Sequence, residues 1–458
     1  MGSEEDEPFE SETAPPEPTP GEVLRADVLE YLVDLWEGQR ETIRLAKQWN
    51  RYEEGIDRAA DVALAYLDDE DLDVQTSVTK AHQSVFKTRG LSKDQKESAF
   101  RRALQAYTDK RTPRAHGRTG AALRSVTTRR RDLGLLSSQL VTLVADFELF
   151  VLRVTTAWLD FDPQHLSSRR RELSFEQLGQ LGSIEDIRTS MVNSFLEEHM
   201  RKSASAWFGV FCELFNAPKL EGADDFTTLE VFQRRHVVVH HGGLVSRQYL
   251  AALDSYKHDA RLGDHLAIGL DYVKEAADSL GVLAHSIALA ALYASTRNPA
   301  ERQAVEREAG ELTFLLLNQN RATVVRRYVA ATDLQRVKRE FSREQIRVNG
   351  WIARRRLGEG DAVRKQVKNW DVSAKDLSFK LAKKALLGET EEAIEIAQRM
   401  IDNDELSLLA IQTWPLFEEI RDEMIAALED ADDEEAEKND AEDDEESSGE
   451  EYSGEKSD

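Results

Sequence analysis

Near the middle of the chain, residues 234–245 read RRHVVVHHGGLV, a stretch that concentrates arginines and histidines. Upstream, residues 224–228 (DDFTT) supply side chains that cap the start of a helix. The Gly242-Gly243 pair supplies the end, because glycine adopts the left-handed conformation at little cost. The valines at 237–239 favour a strand by intrinsic preference, but the apolar period between the two caps predicts a helix. That period relates four positions: Leu229, Phe232, His236 and Val239.

The predicted helix brings together side chains that can bind a phosphate and move a proton. His236 and His240 are four residues apart and share one face, and Arg235 lies at the edge of that face. Arginine is always charged, whereas imidazoles titrate near neutral pH. His240 lies in the last turn, where the helix dipole favours an imidazolium.

The residues alone leave three interpretations open. They are solvated charges at a helix end, or His236 and His240 hold zinc with His241 beside them, or Arg235 binds a phosphate while His240 transfers protons in phosphodiester cleavage. No glutamate follows His236 as in the His-Glu-x-x-His zinc motif, and the single cysteine, Cys212, is distant in sequence. Neither a metal ion nor another cofactor is therefore predicted.

Residues 235–240 match the Arg-x4-His pattern of the HEPN superfamily, with His236 at the position after the arginine that is usually polar. The continuation at 243–250 (GLVSRQYL) resembles HEPN domains of the ribosomal-L-PSP-associated group. Residues 140–148 (LVTLVADFE) look like the first helix of that group, and residues 174–215 have a similar spacing of helices. The resemblance covers residues 132–296, about a third of the chain.

This resemblance implies a metal-independent endoribonuclease that acts as a homodimer, with the motifs of two copies facing each other across a shared cleft. Arg235 would hold the scissile phosphate, and His240 would act as base toward the ribose 2′-hydroxyl or as acid toward the leaving oxygen. His236 would orient Arg235 or carry the second proton. Glu148 is expected to hold Arg235 from the first helix, with Asp146 a weaker candidate. The need for a 2′-hydroxyl would restrict cleavage to RNA.

A nuclease of this kind would serve as a toxin or an antiviral defence effector that a regulatory protein partner holds in check. The alternative is a non-catalytic HEPN-like helical module that binds RNA or a partner protein. Two departures from the family keep that alternative open. His236 stands where asparagine is commonest, and residues 240–242 read HHG where toxins silenced by nucleotidylation carry His-x-Tyr.

Charge is concentrated at the two ends of the chain, whose formal net charge is −26. Residues 1–22 carry eight acids and no base, and residues 429–458 carry seventeen acids and two lysines. Without these ends the net charge is −3, so the remainder is nearly neutral. With 41% hydrophobic residues, no signal peptide, no apolar run of membrane length and one cysteine, a cytoplasmic protein without a membrane role is expected.

The sequence predicts an all-α fold in three helical parts between disordered acidic ends. The predicted order is a lead-in (1–22), an N-terminal helical region (23–108), a basic linker (109–131), the HEPN-like domain (132–296), a C-terminal helical region (297–428) and a tail (429–458). The linker charges are either merely solvated or bind the RNA backbone. The candidate RNA-binding residues are four arginines: Arg129, Arg130, Arg131 and Arg234.

Overall fold

The computed structural model describes residues 17–54, 132–164, 183–200 and 204–428, with isolated positions between residues 80 and 103. Over these residues the regular structure is helical, which confirms the predicted all-α class. The chain divides into two compact units, one up to Ser295 and one from Thr296. The acidic ends up to residue 16 and from residue 429, and the linker at 109–131, lie outside the described residues.

Unit 1 is a helical bundle centred on two long apolar helices. Its helices are α1 (Pro20–Glu54), α2 (Asp132–Phe161), α3 (Ile184–Met200), α4 (Ala204–Leu214), α5 (Phe226–His241), α6 (Arg247–Ala252) and α7 (Leu270–Ala294). α7 packs against α2, as its long apolar stripe predicts. α1 packs against both α2 and α7, so the first part of the predicted N-terminal region belongs to the same unit as the motif.

α1 begins before residue 23, where the sequence analysis predicts the start of the N-terminal helical region, and its first residues explain why. Thr19 and Glu22 form a reciprocal capping box in which the Glu22 amide donates to Thr19 Oγ1 at 3.3 Å and the Thr19 amide donates to Glu22 Oε2 at 2.8 Å. Pro20 occupies the first turn, where a missing N–H costs nothing. The helix therefore begins inside the segment predicted as an acidic lead-in.

The core of unit 1 contains a buried histidine. His285 on α7 is 1% exposed and stacks on Trp36 of α1, with ring centroids 5.7 Å apart. Burial lowers the pKa of His285 from 6.5 to about 3, because the charged imidazolium is disfavoured in an apolar surrounding. His285 is thus a neutral core residue.

Two helices of unit 1, α2 and α7, are long and apolar enough to cross a membrane by length and composition alone. The sequence did not predict this, since polar residues such as Asp146 and Glu148 interrupt α2. Most of the apolar window of α7 is buried within the protein, as in the core helix of a globular protein, while less than half of the α2 window is buried.

Unit 2 consists mostly of shorter helices. Each packs against helices that are near it in the chain, such as α8 on α10 and α12 on α13. They are α8 (Pro299–Asn318), α9 (Ala322–Ala331), α10 (Glu340–Arg356), α11 (Gly360–Lys368), α12 (Leu377–Leu387), α13 (Thr390–Asp402) and α14 (Leu408–Thr413), followed by a helix at residues 421–428. Gly388 in the left-handed conformation (φ 74°) connects α12 to α13.

Trp370 packs at a helix junction of unit 2. Its ring lies 5.0 Å from that of Trp351 and 6.1 Å from that of Phe379. Its indole N–H donates to Glu344 at 3.0 Å, and this buried carboxylate also pairs with Lys375 at 3.2 Å. The charge on Glu344 is therefore satisfied inside the unit, which makes it a structural group.

The buried His285 predicts how stability responds to acid. Its folded-state pKa is depressed, so its contribution is fully present above about pH 6.5 and is lost as the pH falls toward 3. The loss approaches about 1.4 kcal/mol per pH unit. In His285→Phe, which keeps a ring against Trp36, we expect a shallower decline of the free energy of unfolding between pH 6.5 and 4, measured by urea titration. Identical slopes in both proteins would show that His285 is not a buried neutral base.

Candidate functional site

The motif forms the last turns of α5, and two glycines end the helix where the sequence predicts. α5 ends at His241, and Gly242 (φ 60°) and Gly243 (φ 85°) both adopt the left-handed conformation. The Gly243 amide donates back to the carbonyl of Val237 at 3.1 Å, which satisfies a backbone acceptor of the final turn. Asp225 precedes the helix with an extended backbone, although its side chain makes no capping hydrogen bond.

The buried face of α5 differs partly from the predicted stripe. Phe232 packs among aromatic rings of two other helices, 5.8 Å from Phe147 of α2 and 5.9 Å from Trp207 of α4. Val237 is fully buried, whereas Val239 is 50% exposed. The exposed side of the last turns is therefore wider than the stripe predicted, and it carries the charged residues of the motif.

On that side, Arg235 pairs with Glu148 of α2, as expected from the sequence. Arg235 Nη2 lies 3.5 Å from Glu148 Oε2, and both side chains are about half-buried. Burial raises the pKa of Glu148, and the nearby guanidinium offsets only part of that shift. Asp146, the weaker candidate, instead lies on α1's side of α2, where its carboxylate would be 3.2 Å from a Cβ on Gly38. Glu148 is thus the acid that positions the arginine.

The three motif histidines lie close together at the exposed end of the helix. The rings of His236 and His240 are 4.6 Å apart, and those of His236 and His241 are 5.8 Å apart. His240 and His241 are exposed, while His236 is partly buried. Burial, together with the charges of His240, His241 and Arg235, lowers the pKa of His236. The arrangement combines a neutral imidazole, an exposed imidazole and a fixed guanidinium.

The zinc interpretation finds no support in this geometry. Within the part of the chain that the structure describes, no group of three or more histidines, cysteines or carboxylates is arranged to hold a metal ion. His236 and His240 have the right sequence spacing, but a zinc site needs at least a third protein ligand. Cys212 on α4 is a free, partly buried thiol, and burial raises its pKa.

Arg234, a candidate for binding RNA, has its donors engaged within the protein. Its Nε donates to the buried carboxylate of Glu230 at 2.6 Å, and its Nη1 donates to the carbonyl of Ala267 at 2.8 Å. Its guanidinium also lies 4.0 Å from the ring centroid of Tyr272. Arg234 therefore joins α5 to the start of α7 and to the loop before it.

Glu230 is the centre of this network and is 2% exposed. Its Oε1 accepts from Tyr249 at 2.7 Å, and its Oε2 accepts from Tyr272 at 2.6 Å. Burial, reinforced by the Glu230 charge, raises the pKa of both tyrosines. Burial alone would lower the pKa of Arg234, but Tyr272 and Glu230 outweigh it and the net shift is upward. Sequence spacing relates Glu230 to Arg234 at i, i+4, but it does not reveal the tyrosines.

A fourth histidine that sequence reasoning missed lies beside the motif. His265 forms an isolated antiparallel bridge with Leu244, and its Nε2 is 3.1 Å from the position of a Cβ on Gly243. The ring thus lies against the turn that ends α5, where only a glycine leaves room. No local pattern around His265 signals this, because the pairing is made by the backbone across more than twenty residues.

Three of the predicted RNA-binding residues, Arg129, Arg130 and Arg131, lie outside the described residues, so their relation to the motif stays a prediction. The chain matches no protein-family model, no curated protein and no solved structure. The functional conclusion therefore depends on the residues of the motif and the geometry around them.

The Glu230 network predicts a stability effect. Tyr272→Phe removes one hydrogen bond to a buried carboxylate and should destabilise the α5–α7 region by about 2 kcal/mol. We expect faster amide hydrogen exchange in peptides covering residues 226–252 and 263–280. Tyr256→Phe is the matched control, because the Tyr256 hydroxyl donates to the carbonyl of Asp224 at an exposed position. Equal exchange in the two variants would contradict a structural role for Glu230.

Proposed function

We propose that the chain is a metal-independent endoribonuclease of HEPN type that cleaves RNA by attack of the 2′-hydroxyl on the adjacent phosphate. The observation that carries this proposal is the position of Arg235, held by Glu148 at 3.5 Å on the same helix end as His236 and His240. A guanidinium and two imidazoles are the side chains that such a reaction uses, and no metal is required.

Arg235 is suited to bind the scissile phosphate. Among the described residues its guanidinium pairs only with Glu148, and its Nε is buried, so the Nη groups are the donors that would contact a phosphate. The pair with Glu148 restricts the guanidinium without the bidentate geometry that would saturate it. As charge builds on the phosphate oxygens in the transition state, the fixed positive charge stabilises them.

The two histidines divide the proton transfers. The lowered pKa of His236 favours its neutral form, which suits the base that removes the proton of the 2′-hydroxyl. His240 is exposed in the last turn beside His236, where its imidazole can donate a proton to the leaving 5′-oxygen. The oxygen–phosphorus bond that forms closes a 2′,3′-cyclic phosphate, and the bond that breaks releases a 5′-hydroxyl.

The partners that we propose are RNA, a second copy of the chain and a regulatory protein that holds the activity in check. Exposed apolar side chains flank the motif and favour the second copy: Leu149, Val239, Leu244 and Leu262. Exposed apolar side chains of this kind are typical of the centre of a protein interface. A restrained nuclease fits a toxin or a defence effector, and a single cysteine together with an RNA substrate fits the cytoplasm.

The full chain should therefore cleave single-stranded RNA in excess chelator and leave 2′,3′-cyclic phosphate ends. Arg235→Ala and His240→Ala should each lower the rate by at least about 100-fold, because each removes a group that acts only in the transition state. Arg336→Ala, at an 83% exposed side chain of unit 2, is the control and should retain the wild-type rate.

Loss of cleavage in chelator, with recovery on adding zinc, would overturn the metal-independent mechanism. Binding of RNA without any cleavage would instead favour the alternative, a non-catalytic HEPN-like module.

If two copies share the cleft, mixed dimers should complement. One Arg235→Ala protomer and one His240→Ala protomer together retain one intact arginine and one intact histidine, contributed by different copies. We expect the purified mixed dimer to regain cleavage that neither parent shows, up to about half of the wild-type rate, because one of its two composite sites is intact. A mixed dimer, verified by light scattering and tagged co-purification, that stays as inactive as its parents would exclude a shared cleft.

A further inference from the structure

Two short backbone segments pair beside the motif and bring the loop between α6 and α7 next to the end of α5. The Val245 amide donates to the carbonyl of Asp264 at 2.9 Å, and the Gly263 amide donates to the carbonyl of Val245 at 3.0 Å. The Leu266 amide donates to the carbonyl of Gly243 at 2.9 Å. These bonds fasten the loop between α6 and α7 to the turn that ends α5, so side chains from both lie at the same end of the helix as His240.

Three side chains at this end form a rim of cationic or protonatable groups. Arg247 begins α6, and Arg261 and His265 lie on the fastened loop, all three exposed. Among the described residues, none of these three side chains has an ion pair or a side-chain hydrogen bond. Asp264, next to His265, is also exposed, and its Oδ2 accepts the Arg261 backbone amide at 2.8 Å, which holds this carboxylate against its own loop.

The rim is held rigidly, which favours binding of a ligand. The Arg234 bond to the Ala267 carbonyl fixes the loop two residues beyond His265. Tyr249, bonded to Glu230 at 2.7 Å, fixes α6 two residues beyond Arg247. The structural network therefore holds the backbone that carries the rim, which lowers the entropic cost of binding RNA.

We propose that Arg247, Arg261 and His265 form a second phosphate-binding subsite, which holds the RNA strand next to the phosphate at Arg235. This assignment rests on the proposed function, since it extends the same surface. Clustered arginines bind phosphates regardless of sequence, and they position a strand without taking part in bond cleavage. The subsite therefore selects for RNA longer than a dinucleotide.

The test is binding of a labelled single-stranded RNA of about twelve nucleotides to the full chain at several salt concentrations. The variant is Arg247→Gln/Arg261→Gln/His265→Gln. The control, Arg40→Gln/Arg44→Gln/Lys219→Gln, removes three exposed basic side chains elsewhere in unit 1. We expect at least about tenfold weaker binding at low salt, and a salt slope smaller by about 0.7 for each phosphate that is no longer neutralised, in the rim variant alone.

Cleavage distinguishes a positioning subsite from a structural defect. In the rim variant, kcat/KM for a ribodinucleotide should stay within about twofold of wild type, whereas kcat/KM for the longer RNA should fall about tenfold. Equal binding and equal salt slopes in the rim variant and the control would overturn the subsite, as would a wild-type chain that binds no RNA. If wild type binds RNA but cuts none, the nuclease proposal fails while the binding comparison still decides the subsite.

Discussion

The buried carboxylate of Glu230 is the charge on which the arrangement at the end of α5 depends. It accepts hydrogen bonds from Tyr249 of α6, Tyr272 of α7 and Arg234 of its own helix. A buried charge is tolerated only when its partners surround it, so these three elements can pack in few other ways. Neighbouring side chains on a helix project about 100° apart. Because Arg234 is anchored to Glu230, the direction in which Arg235 projects is also fixed.

The two adjacent arginines of the motif differ in their surroundings. Arg234 turns inward and satisfies a buried acid, while Arg235 turns toward α2 and the half-buried Glu148. A weaker ion pair, at 3.5 Å, holds Arg235 in place without consuming its donors. The rings of His236 and His240, 4.6 Å apart, place two groups that can carry protons at the same helix end as Arg235.

The features that could be predicted from the sequence are those that depend only on residues close together in the chain. The all-α class, the helix through Arg235 and His240 and its end at Gly242 follow from periodicity and glycine. Whether Arg234 points inward depended instead on Tyr272, whose position is set by the packing of α7. The position of His265 depends on backbone pairing with residues 243–245, and such pairing produces no periodic pattern in the sequence. The Thr19-x-x-Glu22 capping box was readable in sequence, but the acidic composition around it favoured a disordered segment.

Attack by the ribose 2′-hydroxyl is tested most directly with an oligonucleotide of deoxyribose that has one ribose at a defined position. This oligonucleotide is incubated with the full chain in chelator. We expect a single cut, immediately 3′ to the ribose. One fragment should carry a 2′,3′-cyclic phosphate and the other a 5′-hydroxyl, both identified by mass spectrometry. Cleavage of the all-deoxyribose strand, or a cut that leaves a 5′-phosphate, would contradict 2′-hydroxyl attack directed by Arg235, His236 and His240.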